Sequence, residues 1–554
     1  MSNLNPHVAG TILKNLGIAL SNALANLPGE RPPWLVIPLA GSYPARTRHR
    51  RLTEFPPDVK PPEVSQEALV ALVRELGRAP WLAGGIFRLD ELRLDFATAY
   101  ALHNILKLLR EAGKETVAYA TQFDLSSYYL ASVADRIAAP ESAEFDLRGL
   151  SLETLFMRDA LARLGIAADK VAIGAYKSAG DQFVRQELSE AAREQLSALL
   201  SSFERTVLQR IADGRKVSFE KVKSWIDQGV TSAVTAQRLG IIDRVAYEDE
   251  LIPRRAAPLA AGVRFLRRTP LPVGEKRVAV ISLEGIIVPG KSRRTPFPLP
   301  LIGDQQAGSE TLLAAFRLAE RDVSTAAIVF YVDSGGGSAL ASDLIWREVK
   351  RVGVTKPVVA VMGSVAASGG YYVLTGVRHI VAAPTTVTGS IGVLTVKFVL
   401  EQFYAQYGLQ PEALSRGRFA QLYSANQPFS PEERELIERY IGEVYERFVA
   451  RVAEGRRLSK EAVDALGQGR VWSGEDALAR GLIDQLGDVA SGLERAKALA
   501  GLHPEAPVWN VRTPARLLLP TSADPTTLQR ALGPLLREQA LLLSNAFSLT
   551  SSLR

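Results

Sequence analysis

The chain has 554 residues, 47% of them apolar and 23% charged, which fits a globular protein of two or more domains. It contains no cysteine, which excludes disulfide frameworks, zinc–thiolate sites and cysteine nucleophiles, and its five histidines (His7, His49, His103, His379, His503) form no H-E-x-x-H and no helical pair, so neither a metal nor another cofactor is expected. The net charge of +7 suits an arginine-rich solvated surface; the cluster Arg46, Arg48, Arg50 and Arg51 leaves attraction to anionic lipid open, while no basic–aromatic motif points to nucleic acid.

Residues 1–32 carry no charged n-region followed by an apolar h-region, so no secretory signal is expected. Thr11–Leu27 is amphipathic, suited either to packing on a neighbouring domain or subunit or to lying on a membrane surface. No run of 18 apolar residues occurs anywhere, so no transmembrane helix is predicted, and the location expected is cytoplasmic or peripheral to the membrane.

Downstream, the chain repeats itself. Ala236-x-x-x-Gly240-Ile-Ile-Asp243 recurs 241 residues later as Ala477-x-x-x-Gly481-Leu-Ile-Asp484. Gly214-Arg215 and Gly455-Arg456 share that offset, as do the Ser189–Glu194 and Ser430–Glu435 segments. Leu39–Gly41 and Ala138–Pro140 find counterparts at Leu283–Gly285 and Ala382–Pro384, each 244 residues on. Near-constant offsets over so long a stretch indicate duplication. The reading is a first repeat at 33–250, a linker at 251–274 centred on Pro253–Pro272, a second repeat at 275–500 and a tail at 501–554 in which Leu528–Phe547 looks like an amphipathic helix.

Within the second repeat the pattern predicts strands at Val278–Leu283, Ala326–Val332 and Val358–Met362. It predicts helices at Leu312–Ala319, Ser342–Val352, Ser430–Gly455 and Lys460–Leu466. Continuous Val/Ile/Ala strands alternating with helices indicate an α/β fold with largely parallel, buried sheets.

Three glycine turns follow apolar runs. In the first, Val358–Met362 leads through small residues to Ser368-Gly369-Gly370-Tyr371, so a serine is presented at a strand end before a helix start, where backbone N–H groups can hold an oxyanion. A glycine-rich turn merely capped by serine is the alternative. In the second, Asp333-Ser-Gly335-Gly336-Gly337-Ser338 is suited to donating a second N–H; a phosphate cradle is disfavoured because no G-K-[ST] follows. The third, Thr388-Gly389-Ser390-Ile391-Gly392, reads on spacing alone as an ordinary turn.

A nucleophilic serine needs a base. His379 lies eleven residues after Ser368, beside the apolar run Ile380–Ala383, and is a weak candidate. Lysine serves if burial removes its charge near neutrality, as in Ser–Lys variants of the catalytic triad. Lys177, in Val171-Ala-Ile-Gly174-Ala-Tyr176-Lys177-Ser178-Ala-Gly180, has little charge in its immediate surroundings; the bland alternative is an exposed lysine.

The segments Ala367-Ser368-Gly-Gly-Tyr-Tyr, Thr388-Gly-Ser390-Ile-Gly and Gly174-Ala-Tyr-Lys177-Ser-Ala together resemble the long form of the signal peptide peptidase A family, over about residues 33–500. The resemblance implies two tandem crotonase-like repeats, similar to the caseinolytic protease fold. It implies Ser368 as nucleophile, Lys177 as general base and Ser390 as the residue that positions the lysine. Gly369, with Gly336 or Gly337, would form the oxyanion hole. It further implies cleaved signal peptides and other hydrophobic peptides as substrates, and a homo-oligomer, with a tetramer as the candidate, enclosing a chamber.

The repeat offset carries Lys177 to Arg418, too basic to act as a base, and aligning Tyr128-Tyr129 with Tyr371-Tyr372 puts Leu125 opposite Ser368. Each repeat would thus keep one half of a dyad. Two departures stand out: glycine replaces the usual proline in Ser334-Gly335-Gly336-Gly337, and the N-terminal membrane anchor common in the family is not visible. The rival readings are an acyl-CoA-processing crotonase-type enzyme and a non-catalytic, membrane-associated scaffold.

Overall fold

The computed structural model describes residues 6–46, 64–251, 256–299, 303–512, 516–517 and 541–543. Of the basic cluster, Arg48, Arg50 and Arg51 lie outside the described residues.

Two parallel sheets are built in the same way. The first runs in the order Arg244–Val245, Arg136–Ala139, Glu115–Ala120, Gly84–Leu92, Trp34–Gly41, Ala256–Pro258, with every pairing parallel. In the second, Gln485–Leu486, His379–Ala382, Val358–Ala367, Thr325–Ser334, Arg277–Glu284 and Val508–Asn510 follow one another, again all parallel. An additional branch, Val387–Gly389 with Val471–Ser473, joins the far end of Val358–Ala367. Strands covered on both faces need continuous apolar sequence, and Val358–Met362 supplies it with every residue buried.

The duplication extends to individual bonds. Arg215 pairs with Asp243 at 2.8 Å and Arg456 with Asp484 at 2.7 Å. Tyr128 Oη donates to Ile241 O at 2.7 Å, and Tyr371 Oη to Leu482 O at 2.8 Å. Lys114 Nζ donates to Ala79 O and Leu82 O just past the helix Gln66–Arg78, and Lys356 Nζ to Ala319 O and Asp322 O at the end of the counterpart helix Ser309–Arg321. The long helices Glu190–Arg215 and Pro431–Arg456 are N-capped by Ser189 and Ser430, whose hydroxyls accept from Ala192 N and Glu433 N. Both end on a left-handed residue, Lys216 and Arg457.

The stretch 251–274, expected as a linker, instead adds the edge strand Ala256–Pro258 and the helix Leu259–Val263 to the first sheet. Its apolar residues are the reason: Phe265 and Leu266 are buried against the first repeat. Likewise Val508–Asn510, placed in the tail by sequence, completes the second sheet. Of the amphipathic helix expected over Leu528–Phe547, the described part is a strand. Leu541–Leu543 pairs antiparallel with Gly336–Ser338 and with Leu394 of Val393–Val399, because two open strand edges there lack backbone partners.

A third sheet carries the link between repeats. Ala167–Ile173 of the first repeat pairs antiparallel with Val393–Val399 of the second, from Val393↔Ile173 to Val399↔Ala167. That pairing brings the loop holding Lys177 to the end of the Val358–Ala367 strand.

Candidate active site

The Val358–Ala367 strand runs directly into the short helix Gly369–Tyr372, and Ser368 forms the corner. Its backbone is bent to φ 55°, ψ −117°, a region that non-glycine residues avoid, and it is held there by a hydrogen bond from Ser368 N to Gly389 O at 2.8 Å. The side chain is fully buried.

Lys177 Nζ lies 2.8 Å from Ser368 Oγ, 3.0 Å from Ser390 O and 3.1 Å from Ser390 Oγ. The three residues quoted from three separate motifs therefore meet at one point. Lys177 is 3% exposed, and burial, helped by the nearby Lys170 cation, holds its pKa well below the ordinary lysine value. Lys170 is itself paired with Asp181 and donates to Lys177 O at 2.7 Å. Ser390 also has a positive φ, 53°, and its N–H donates to Arg470 O at 2.7 Å. His379 is elsewhere: its Nε2 is 2.9 Å from Gln485 Oε1.

Around this point the chain is packed too closely for side chains. A Cβ on Gly369 would lie 3.1 Å from Gly336 Cα and 3.2 Å from Gly337 N, so the two glycine turns touch. Gly336 N donates to Ser334 Oγ at 3.1 Å, and Ser334 Oγ donates to Gly285 O at 2.6 Å, which ties the turn to the neighbouring strand. Behind the turn, Asp333 accepts from Val365 N at 3.1 Å and borders a cavity of about 250 Å³ also lined by Arg93, Asp95, Glu284 and Asp488. Burial and the negative charge of Asp95 raise its pKa to about 7.

Several supporting residues were not read from the sequence. A Cβ on Gly469 would sit 2.6 Å from Lys177 Cα, and one on Gly392 would sit 3.0 Å from Lys177 Cδ, so both glycines wall the lysine stem. Gln195 Nε2 donates to Tyr176 O at 2.9 Å, and Val471 N donates to Gln195 Oε1 at 3.1 Å, which clamps the lysine loop to the second repeat. The available signal for Gly469 was the Gly467-Gln-Gly469 spacing just before an apolar strand. Gln195 carried none, because its link to Val471 joins the two repeats across 276 residues of sequence.

A strand-end serine against a buried lysine, flanked by glycine turns on an α/β scaffold, is an arrangement that fits the class of serine hydrolases. The chain belongs to peptidase family S49, whose sequence profile matches residues 108–262 and 350–503, and is a serine peptidase. It is 34% identical over 466 residues to the chloroplastic serine protease SPPA of Arabidopsis thaliana, covering 81% of this chain and 67% of that one. It is 27% identical to Protease 4 of Haemophilus influenzae, over 82% of this chain and 76% of the relative. With Protease 4 of Salmonella typhi it shares 32% identity over 72% and 66% of the two chains. Among solved structures it is similar to a ClpP1 mutant of Listeria monocytogenes at 17% identity and a TM-score of 0.24, over 37% of this chain and 94% of that one. That last likeness is too low to add to the assignment.

Proposed function

We propose that this peptidase hydrolyses peptide bonds with Ser368 as nucleophile and Lys177 as general base, on hydrophobic peptides that include cleaved signal peptides. The observation that carries the reading is the buried approach of Lys177 Nζ to within 2.8 Å of Ser368 Oγ, with no other base against the serine among the described residues. A neutral amine has two N–H donors and one lone pair. Its donors satisfy Ser390 O and Ser390 Oγ, which leaves the lone pair for the Ser368 hydroxyl proton. As Ser368 Oγ bonds to the substrate carbonyl carbon, the proton passes to Lys177 and the carbonyl oxygen becomes an oxyanion.

The N–H of Gly369, at the start of a helix, is one oxyanion donor; such a donor is worth roughly 3 kcal/mol. Gly337 is preferred to Gly336 as the second, because Gly336 N–H already serves Ser334 Oγ. Collapse of the intermediate breaks the C–N bond, and the lysine ammonium returns its proton to the leaving amine. Water then attacks the acyl-enzyme by the same route, regenerating Ser368. Substrate would bind as an extended strand beside Gly336–Ser338, where Leu541–Leu543 of the chain itself runs antiparallel. A homo-oligomeric chamber, as the resemblance implies, would restrict access to unfolded peptides.

Turnover of a fluorogenic apolar peptide by wild type, Ser368→Ala and Lys177→Ala tests this. Each variant should lose about 10³-fold or more in kcat/KM while remaining folded. Equal turnover by all three would overturn the Ser–Lys mechanism, and inactivity of folded wild type on every peptide would favour thioester or scaffold roles.

A further inference from the structure

The helix Pro6–Ala25 is packed with its polar face inward. Asn15 Nδ2 donates to Leu271 O at 2.7 Å while Leu271 N donates to Asn15 Oδ1 at 2.8 Å. Two turns later Asn22 repeats this with Arg268, at 2.9 and 2.8 Å. Each carboxamide thus pairs with a backbone as another peptide group would, and Thr11 and Ala25 complete the buried stripe. These bonds fix the rotation of the helix about its axis. The opposite stripe is left facing out: Leu13 is 69% exposed, Leu16 62%, Leu20 65% and Leu24 54%, and Leu27 continues the line at 56%. At 3.6 residues per turn the four helical leucines fall within an arc of about 80°. A helix packed on a soluble core shows the reverse arrangement.

Charge identifies the occupant. Residues 1–29 contain no Asp or Glu, and neither do residues 252–274, which hold five arginines. The Asn15 and Asn22 bonds join these two acid-free segments, so the exposed Lys14, Arg264, Arg267 and Arg268 belong to the same region as the leucine stripe. Glu75 offsets part of this at 3.9 Å from Arg268. A two-fold contact between copies would set this basic region against itself. An anionic lipid surface accepts both the leucines and the cations. Among the described residues no helix is long and apolar enough to cross a membrane, so the contact available is one in the plane of the surface.

We propose that Pro6–Ala25 docks the protein on an anionic bilayer surface, with Leu13, Leu16, Leu20, Leu24 and Leu27 inserted below the headgroups and Lys14, Arg267 and Arg268 against them.

Cosedimentation with phosphatidylcholine vesicles, with and without phosphatidylglycerol, tests this. Full-length protein should bind the mixed vesicles and release by roughly tenfold in high salt or on pure phosphatidylcholine. The double variant Leu16→Glu, Leu20→Glu should lose about tenfold or more of the binding. Circular dichroism should show its fold intact, since both positions are exposed. The proposal is overturned if wild type stays in solution with both vesicles, if it binds both equally, or if the double variant binds as well as wild type. It is also overturned if the double variant lowers the subunit number in sedimentation velocity, which would assign the stripe to a second copy of the chain.

Discussion

Ser368 and Ser390 both adopt positive φ, at a cost of about 1–3 kcal/mol each, and each is held by a backbone hydrogen bond from its own N–H. The strain aims both hydroxyls at Lys177. The lysine must be neutral to accept a proton, so kcat/KM should fall as pH drops through its lowered pKa and level off above it. The Ser390 hydroxyl accepts from the lysine and thereby favours the charged form. Ser390→Ala should therefore reduce kcat about tenfold and move the acid limb to lower pH; an unmoved limb in the pH–rate profile would exclude Ser390 from this role.

His103 poses a separate residue-level question. It is buried against the Tyr129 ring at 5.2 Å, and burial, with the cations Arg210, Lys107 and Arg110, lowers its pKa to about 3. Its folded pKa lies below the unfolded value of about 6.5, so the unfolded state binds the proton first and stability is lost as pH falls from 6.5 toward 3. His103→Phe, which keeps the ring contact, should remove about 2 kcal/mol of the stability difference between pH 7 and pH 5, read from denaturant midpoints.

At the scale of elements, the site is an encounter of turns. The Gly336–Gly337 and Ser368–Gly369 turns meet without room for a Cβ, and the lysine loop closes onto Gly469 and Gly392. The strand Leu541–Leu543 occupies the edge of Gly336–Ser338 where a peptide substrate would add, and it reaches Leu394 on the other side. Ending the chain after Leu517 should free that edge and lower KM for an apolar peptide by roughly tenfold with little change in kcat. An unchanged KM would show that the strand does not compete with substrate. The apolar tail reads as helix by periodicity because periodicity reports which face is apolar and carries no information about an unpaired strand edge elsewhere in the fold.

For the whole molecule, the junction of the repeats is the functional joint. It includes the pairing of Ala167–Ile173 with Val393–Val399, the Ser202–Ser473 hydroxyl contact at 2.7 Å and the Asn104–Asp488 bond at 3.1 Å. Asp169 anchors it, accepting from Phe429 N at 2.9 Å and pairing with Arg434. Asp169→Ala should cost roughly 1–3 kcal/mol in stability and lower kcat more than it raises KM, because the lysine loop shifts with its strand. Thermal melting with steady-state kinetics checks both; a lower kcat with no stability change would place the effect outside the junction.

The α/β layering, the duplication and the candidates Ser368 and Lys177 were legible in the sequence because each depends on local pattern, whereas Ser390 read as an ordinary turn residue and entered only through the family resemblance. Apolar runs make buried strands, recurring offsets make repeats, and small residues beside Ser368 and Lys177 mark turns. The role of 251–274 and of Val508–Asn510 was not legible, since short edge strands are defined by the neighbour they pair with rather than by their own periodicity. Nor was the inverted face of Pro6–Ala25, which two asparagines 246 and 256 residues from their partners determine. Sequence alone determined which side chains were available for chemistry. Tertiary structure decided that a lysine and a serine 191 positions apart meet in one buried place, because the pairing of strands from the two repeats brings them within 2.8 Å and burial lowers the pKa of the lysine.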